Sequence, residues 1–393
     1  MRRYILLALT PAAAFLACAH ASDTNPDSAP RDGGTMPEAS AEDAGDGGDG
    51  GDAASDAEAL RCSNDFCVVD VPPASAYGFT KWMFAGVQSD PVIGTWAIAN
   101  GMPGDKGTAQ LLRFEDGAWK PRYAPMLGSG AEKRSIQLTA LAGDGKGHLI
   151  AIGTAKDDNS TVIVRSDGTT VTASPFPGEL YTTWMTGTDD AWVAGPMGSI
   201  HHSVGGADWT DESNPAGGLL YAIWGSGPDD VYVGGQSEYA PETAEFWAYV
   251  GHRTLDDAGA PTWSFELLGD LQKEVDGMGY PITTGITLPG GRPFVFALNF
   301  AAWRSPDAGA MAWARDSFLP RTWMRAMWAK SQSEVWAVGD AGRVVRYDGT
   351  TWHEFGIFFN GAPVGGDLTG ISGTAQGELF VVGAGVALRR EAP

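Results

Sequence analysis

Residues 220–235 read LYAIWGSGPDDVYVGG, and this stretch decides the fold. An apolar run that ends at Trp224 is followed by a polar turn, and a second run of β-branched and aromatic residues ends at Gly235. Such residues favour the pleated surface of a strand, and the polar residues between the two runs favour a turn. The stretch therefore predicts two antiparallel strands joined by a short connection.

The same pattern recurs along the chain. Each full copy ends at a glycine. Gly153 and Gly195 are separated by 42 residues, Gly195 and Gly235 by 40, and Gly339 and Gly383 by 44. A period of about 40–45 residues, with four short strands in each unit, is typical of the blades of a β-propeller. The other copies are LYTTWMTGTDDAWVAG at 180–195, MRAMWAKSQSEVWAVG at 324–339 and LTGISGTAQGELFVVG at 368–383, with weaker copies at 138–153, 96–100 and 294–298.

Seven units can be counted, and the last of them lacks a fourth strand. Residues 66–73 form an orphan strand before the first unit, so we predict that they pair with residues 379–390 and leave no open edge. The prediction is an all-β, seven-bladed propeller within residues 61–393, with six blades as the alternative if the divergent unit 278–320 is not a blade. The units span 77–126, 135–177, 179–215, 219–270, 278–320, 322–359 and 367–391.

Two of the motifs resemble a known group of proteins. WGSGPDDVYVGG at 224–235, and EVWAVG at 334–339 followed by YDGTTW at 347–352, resemble the propeller repeats of secreted proteins and lipoproteins of myxobacteria and their relatives. They are similar, more distantly, to sialidase-like Asp-box repeats and to photosystem-assembly-factor-like propellers. The resemblance covers about residues 77–391. It implies a propeller fold and an exported protein, and it brings no established activity with it.

The first 18 residues predict a signal peptide of the lipoprotein type, because a basic start is followed by a short apolar run. Residues 15–18, FLAC, resemble a bacterial lipobox in which Cys18 is acylated. The alternative is cleavage after the A-x-A site at 19–21, which would give a soluble secreted product. We expect an exported lipoprotein of the outer membrane or cell surface, held to the membrane through its lipid anchor only.

Residues 19–60 predict a disordered linker rich in Gly and Asp. They hold eleven acids, a single base and no aromatic residue, so this segment cannot bury a core. A calcium site is the rival interpretation, but no rigid loop gathers the carboxylates, and a solvated spacer is favoured.

Charge and cysteine content narrow the possible partners. The net charge of −22 makes nucleic acid an unfavourable partner. Of the three cysteines, Cys18 is assigned to the lipoprotein signal, so Cys62 and Cys67 are left as a pair. A pair of cysteines in an exported chain predicts a disulfide. A metal site is the rival, but only Asp65 stands nearby as a further ligand. We expect a monomer with no cofactor and no metal.

The aspartates and histidines that could be catalytic are better explained by structural roles. Asp189–Asp190 and Asp229–Asp230 could be paired carboxylates, but they fall in turns, where Asp accepts hydrogen bonds from nearby backbone. His201 and His202 are adjacent on a predicted strand, so they point to opposite faces and are poorly placed to share one metal ion. We therefore predict no catalytic residue.

The possible ligand-facing residues are Trp82, Trp323 and Arg325. Eleven of the fifteen tryptophans occupy recurring blade positions and are assigned to the core, whereas Trp82 and Trp323 lie near the starts of inner strands. Arg325 lies on an inner strand. It has no arginine counterpart at Thr182, Ala222 or Gly370, which argues against a sialidase-like arginine cluster.

These observations favour a cell-surface or periplasmic lipoprotein whose non-catalytic propeller binds a protein or a glycan. The alternative is a hydrolase or lyase that acts on extracellular polysaccharide. The sequence offers repeated structural residues and no constellation of acid, base or metal ligands outside the repeat. The long segments 236–261 and 101–108 are candidate binding loops.

Overall fold

The computed structural model describes residues 62–393 apart from 188, 207, 215, 239–245, 270, 272–279, 299, 305–312, 319, 321 and 360. The predicted signal peptide, Cys18 and the 19–60 linker lie outside the described residues. Within the described part, no helix is both long enough and apolar enough to cross a membrane.

The described residues form seven antiparallel sheets of four or five strands, the seven blades of a propeller. The N-terminal strands are β1 (Cys62–Ser63) and β2 (Phe66–Val68). The strands of the first three blades are β3 (Met83–Asp90), β4 (Gly94–Asn100), β5 (Gln110–Glu115), β6 (Ala118–Tyr123), β7 (Met126–Leu127), β8 (Arg134–Gly143), β9 (Leu149–Ala155), β10 (Thr161–Ser166), β11 (Val171–Pro175), β12 (Thr182–Gly187), β13 (Asp190–Ala194), β14 (Ile200–Val204) and β15 (Trp209–Asp211).

The remaining four blades follow in chain order, with a two-stranded hairpin (β28 and β29) before the last blade. Their strands are β16 (Leu219–Gly227), β17 (Asp230–Gln236), β18 (Ala248–Leu255), β19 (Pro261–Leu267), β20 (Ile282–Leu288), β21 (Arg292–Ala297), β22 (Ala301–Arg304), β23 (Trp313–Arg315), β24 (Met324–Ser331), β25 (Glu334–Gly339), β26 (Val344–Tyr347), β27 (Trp352–Phe355), β28 (Phe358–Phe359), β29 (Ala362–Pro363), β30 (Leu368–Gly373), β31 (Leu379–Gly383) and β32 (Val386–Arg390). The 3-10 helices are Ala74–Tyr77, Gly130–Glu132, Pro196–Gly198 and Asp340–Gly342.

The unit 278–320 is a blade, which confirms seven blades and excludes the six-bladed alternative. Its four strands, β20 to β23, pair in chain order like those of the neighbouring blades. The unit diverges from the repeat because Ala297 stands where most of the other blades have the terminal glycine.

The seventh blade is closed by the N-terminus, as predicted. Strand β2 pairs with β32 in the register Phe66 with Arg390 and Val68 with Leu388, and the Val69 amide donates to the Ala387 carbonyl at 2.9 Å. Within residues 379–390 the closing strand β2 pairs with the third strand of the blade, so the predicted pairing partner narrows to β32. Strand β1 adds a fifth strand.

The predicted Cys62–Cys67 disulfide is present. The two cysteines are direct partners across the β1–β2 hairpin, so the covalent bond and the strand pairing hold the same pair of residues together.

The recurring glycine is explained by a close backbone approach. A Cβ at Gly235 would lie 1.8 Å from the Leu219 carbonyl oxygen, and a Cβ at Gly153 would lie 1.9 Å from the Gln137 carbonyl oxygen. The innermost strand presses its backbone against this position, so only a very small side chain fits. The equivalent residues in blade order are Ala99, Gly153, Gly195, Gly235, Ala297, Gly339 and Gly383.

The Asp-Gly pairs do not all form the same turn. Asp116 and Gly117 both have positive φ, 51° and 80°, and form the two-residue hairpin turn that an Asp-Gly pair between two strands favours. Asp167 and Asp348 begin longer turns instead, in which the carboxylate accepts amide hydrogens. The amide nitrogens of Thr169 and Thr170 lie 2.8 and 2.6 Å from Asp167 Oδ1. The hydroxyl groups of these threonines add further bonds, which the Asp-Gly pattern alone does not reveal.

The alternating strand directions define two faces of the propeller. Connections between blades, and those from second to third strands, lie on one face, which we call the loop face. Connections from first to second strands, and from third to fourth strands, lie on the opposite face, which we call the turn face.

Candidate functional site

A β-bulge in the innermost strand places one residue per blade at the loop-face mouth of the central channel. The register of β16 with β17 steps from Leu220 to Ala222, which leaves Tyr221 as the extra residue. Leu220 is fully buried while Tyr221 is 37% exposed, so the bulged side chain faces the channel. The bulged residues in blade order are Ala85, Thr139, Tyr221, Thr283, Arg325 and Thr369, and Tyr181, directly before β12, holds the equivalent position in blade three.

The threonines of this ring support the fold. The Thr283 hydroxyl donates to the Met324 carbonyl at 2.7 Å, and the Thr369 hydroxyl donates to the Phe84 carbonyl at 2.7 Å. Each of these bonds joins a blade to the next one. The Thr139 hydroxyl lies 3.3 Å from the Ile152 carbonyl of its own blade. The larger polar side chains of the ring are Tyr181, Tyr221 and Arg325.

Tyr181 and Tyr221 form a stacked pair across blades three and four. Their ring centroids are 5.5 Å apart and the ring planes differ by 7°. Burial raises the pKa of the Tyr181 phenol to about 12, and the Glu179 carboxylate and Tyr221 add to this effect. Burial also raises the pKa of Tyr221. Both phenols therefore keep their protons at neutral pH and can donate hydrogen bonds.

Arg325 is held in place at the same mouth by Asp340. Its Nε and Nη2 atoms lie 2.7 and 3.0 Å from the two carboxylate oxygens of Asp340, a two-pronged ion pair. The half-buried Trp323 ring lies 6.0 Å from the guanidinium carbon. Arg325 and Trp323 are thus brought together near the channel mouth.

The counterparts of Arg325 differ from those inferred from the sequence. The bulged residue lies one position earlier in the strand than the sequence comparison assumed. The residues named there, Thr182, Ala222 and Gly370, therefore each follow the true counterpart by one position. The structural counterparts are Tyr181, Tyr221 and Thr369. The prediction that the ring lacks an arginine cluster still holds for these positions, but the tyrosine pair was missed.

Trp82 does not face a ligand, which corrects the prediction. It is 5% exposed and its indole N–H donates to the Pro72 carbonyl at 2.6 Å. The Phe79 ring packs edge-on against it with centroids 5.1 Å apart. The segment before β3 folds back over the indole, a contact that strand position alone does not reveal.

The adjacent histidines have the predicted opposite orientations. His202 stacks on Trp192 with centroids 4.1 Å apart, and its Nε2 lies 2.6 Å from Asp190 Oδ1. His201 packs edge-on against Phe176 on the other side of the sheet. In the described part of the chain, no three His, Cys, Asp or Glu side chains are grouped so that they could hold a metal ion.

The paired aspartates are structural, although their partners differ from those expected. Asp190 accepts from the Thr186 hydroxyl as well as contacting His202. Asp230 makes the same pair of contacts in the next blade, with Ser226 and with His252. Each carboxylate thus contacts side chains from two strands, where the sequence predicted backbone contacts in the turn.

The long segment 236–261 is mostly regular structure. Strand β18 covers Ala248–Leu255, so the extra length is divided between a loop-face connection and a short turn on the turn face. Residues 239–245 of that connection lie outside the described residues. The 101–108 segment is a loop-face connection in which the carboxylate of Asp105 accepts from the Thr80 and Met102 amides at 2.9 and 2.8 Å.

Comparison with known proteins supports the fold alone. No family model matches the chain, and no curated protein matches its sequence. The structure of YCF48 bound to D1 peptide is 15% identical, with a TM-score of 0.55, and the match covers 84% of this chain and 96% of that one. A streptogramin B lyase is 13% identical, with a TM-score of 0.58 and coverage of 82% and 96%.

A third similar structure is the Swd1 β-propeller domain of Myceliophteria thermophila, with 11% identity, a TM-score of 0.51 and coverage of 80% and 99%. The chain has the β-propeller fold of these proteins. Because they include a peptide complex and a lyase, the shared fold leaves the function open.

Proposed function

We propose that this protein is a cell-surface or outer-membrane lipoprotein whose propeller binds a protein or a glycan without catalysis. The observation that carries the proposal is the stacked pair Tyr181–Tyr221, on the same ring of residues at the loop-face mouth as Arg325, which Asp340 holds in place. Tyr and Arg are enriched among the residues that dominate binding energy, and an ordered pair loses little entropy when a ligand arrives.

On the turn face, hydrogen bonds between neighbouring blades occupy polar groups at five of the seven blade junctions. The contacts are Gly147 N to Asp90 Oδ2 at 3.0 Å, Lys146 Nζ to Thr186 O at 3.1 Å, Gln332 Nε2 to Pro289 O at 2.9 Å, Lys330 Nζ to Gln376 O at 3.1 Å and Ser89 N to Ser372 Oγ at 2.8 Å.

The competing function is a polysaccharide hydrolase or lyase. One similar structure is a catalytically inactive histidine-to-alanine variant of virginiamycin B lyase with quinupristin. YCF48, by contrast, was solved with a bound peptide, which is the precedent that suits a binding module.

The proposed location rests on the leader. The basic start, the apolar run and FLAC at 15–18 support acylation of Cys18. The acidic segment 19–60 would then extend the propeller away from the membrane surface.

The test is to probe peptide and glycan arrays with the full exported protein and to analyse any bound ligand for products. We expect saturable binding without turnover. Tyr221→Ala should weaken the binding at least 10-fold, as for a central interface aromatic. Val92→Ala, a change at a 66% exposed residue on the turn face, is the matched control and should leave binding unchanged. Turnover of a bound glycan, or equal binding by the Tyr221 variant, would reject the proposal.

A further inference from the structure

Large exposed apolar side chains collect on the loop face of blades three and four. Met197 is 77% exposed and Phe246 is 41% exposed, and both lie in loop-face connections of the blades that carry Tyr181 and Tyr221. We call Met197, Phe246, Tyr181 and Tyr221 together the methionine–tyrosine surface.

The segments that carry this surface are joined to one another. The Gly198 amide donates to the Gly218 carbonyl at 2.7 Å, and the Leu220 amide donates to the Gly195 carbonyl at 3.1 Å. These bonds tie the loop of Met197 to the segment that leads into Tyr221. The Ser237 amide donates to the Trp247 carbonyl at 2.8 Å, and the Tyr249 hydroxyl donates to the Gly217 carbonyl at 3.2 Å, which brings in the connection that holds Phe246. The surface is therefore one continuous, hydrogen-bonded platform.

The Met197 side chain is not required by the fold. Met197 has φ 55° and ψ 31°, a left-handed conformation that is unfavourable for a residue with a side chain. Blade six builds the same turn with Ala341 at φ 57° and ψ 31°. A single methyl group is thus enough for this turn. The long apolar side chain of Met197 is kept in the left-handed region and exposed to water, where it makes no contribution to the core.

The charge around the surface has one sign. Glu179 and Glu238 are exposed beside it, and the described residues of its loops, 176–181, 195–199, 212–219 with the gap at 215, 237–238 and 246–247, contain no Lys or Arg. The rest of the chain adds to this field, because its net charge is −22. A partner with positive charge beside an apolar group would match both features.

We propose that the methionine–tyrosine surface binds a peptide segment that carries an exposed apolar side chain flanked by Lys or Arg. This inference rests on the proposed function and names the partner within it. Methionine side chains are flexible and polarizable, and proteins use them to pack against varied apolar peptide groups. The hydroxyl groups of a sugar need hydrogen-bond partners, and the exposed side chains of Met197 and Phe246 offer little to them, whereas an apolar peptide side chain packs directly against both. The apolar side chain of the peptide lies on Met197 and Tyr221, and its cations lie near Glu179 and Glu238.

The experiment uses the full exported protein and a peptide array with two matched halves, in which the same apolar residues are flanked either by Lys and Arg or by Asp and Glu. The dissociation constant of the best peptide is then measured by fluorescence anisotropy. We expect binding on the basic half only. Met197→Ala and Glu238→Gln should each weaken it at least 5-fold. The first of these variants should fold normally, because Ala341 occupies the same turn in blade six.

Matched controls separate this surface from the general negative charge of the chain. Asp257→Asn removes a charge from an exposed turn on the opposite face, and Val92→Ala removes an exposed apolar side chain there. Both should bind the peptide like the wild type. Equal loss in Asp257→Asn and Glu238→Gln would show non-specific attraction and overturn the inference.

The outcomes also separate the inference from the proposed function. Binding of a glycan or an acidic peptide that Tyr221→Ala abolishes and Met197→Ala leaves intact would overturn the inference and retain the proposed function. Absence of saturable binding to both peptides and glycans would overturn the two together.

Discussion

Glu212 joins blade three to blade four through a buried ion pair, and replacing it by Gln tests that joint. The carboxylate follows β15 and accepts from Arg253 of β18, with Nε at 2.9 Å and Nη2 at 3.2 Å. The Trp263 indole N–H donates to it at 2.9 Å, and His202 Nδ1 lies 3.3 Å away. The side chains of Glu212 and Arg253 are 9% and 6% exposed, so water screens the pair poorly.

The size of the effect follows from the pKa of Glu212. Burial alone would raise this pKa, but the contacts with His202, Arg253 and Trp263 outweigh it and lower the pKa from 4.5 to about 2. A shift of that size corresponds to about 3 kcal/mol, at about 1.4 kcal/mol per pH unit. Glu212→Gln should lower the free energy of unfolding by this amount at pH 7, because the substitution leaves the buried Arg253 without a counter-charge.

The pH dependence has a defined direction. A carboxyl whose pKa is lowered in the folded state stabilises the protein above the pKa of the unfolded chain, and this stabilisation is lost as protons bind. The free-energy difference between wild type and Glu212→Gln should therefore be full above about pH 5 and should fall towards zero as the pH approaches 2.

The assay is urea unfolding followed by tryptophan fluorescence at several pH values. Glu354→Gln is the matched control, because Glu354 is 63% exposed and its ion pair with Arg343 lies at the surface. That variant should lose less than about 1 kcal/mol. If Glu212→Gln is as stable as Glu354→Gln at pH 7, or if its deficit persists at pH 2, the blade joint does not depend on this charge pair.

Three further predictions concern closure, the repeat and location. Phe66→Ala should lower the free energy of unfolding by about 3–5 kcal/mol and should expose the closing strand to protease. Phe380→Ala, the control, should lower it by a similar amount and leave that strand protected in the same limited-proteolysis assay. Gly235→Val should prevent accumulation of folded protein, because its Cβ already meets the Leu219 carbonyl; a normal yield and melting temperature would contradict the close-approach argument. Cys18→Ala should abolish incorporation of labelled fatty acid, and a wild-type protein that takes up no label would favour secretion instead.

The fold could be predicted because its physical requirements repeat. A carbonyl oxygen approaches closely at Gly153, Gly195, Gly235, Gly339 and Gly383, and alanine holds the equivalent position in the other two blades, so the sequence carries the signal at a nearly constant period. The closing strand was predictable for a related reason: a last unit without a fourth strand leaves an edge, and the orphan segment that begins at Phe66 is the available partner.

The candidate site was less predictable because it depends on single-residue register. One bulged residue moves the channel position from Ala222 to Tyr221, and no pattern in the sequence marks that step. Trp82 was assigned to the wrong environment because the segment that covers it has no periodic pattern. The predicted disulfide, by contrast, required only the compartment and the even number of cysteines.

The seven blades also act as an internal comparison that separates fold from function. At the close-approach position the residue is Gly or Ala in every blade, as the geometry requires. At the bulge position, which is one residue per blade on the innermost strands, the residues range from Ala and Thr to Tyr and Arg. Thr283 and Thr369 use this position to join their blade to the next one, whereas Tyr221 and Arg325 carry side chains larger than that task needs. A large polar side chain at the mouth of the channel, where the fold requires only Ala or Thr, is one that a ligand can determine.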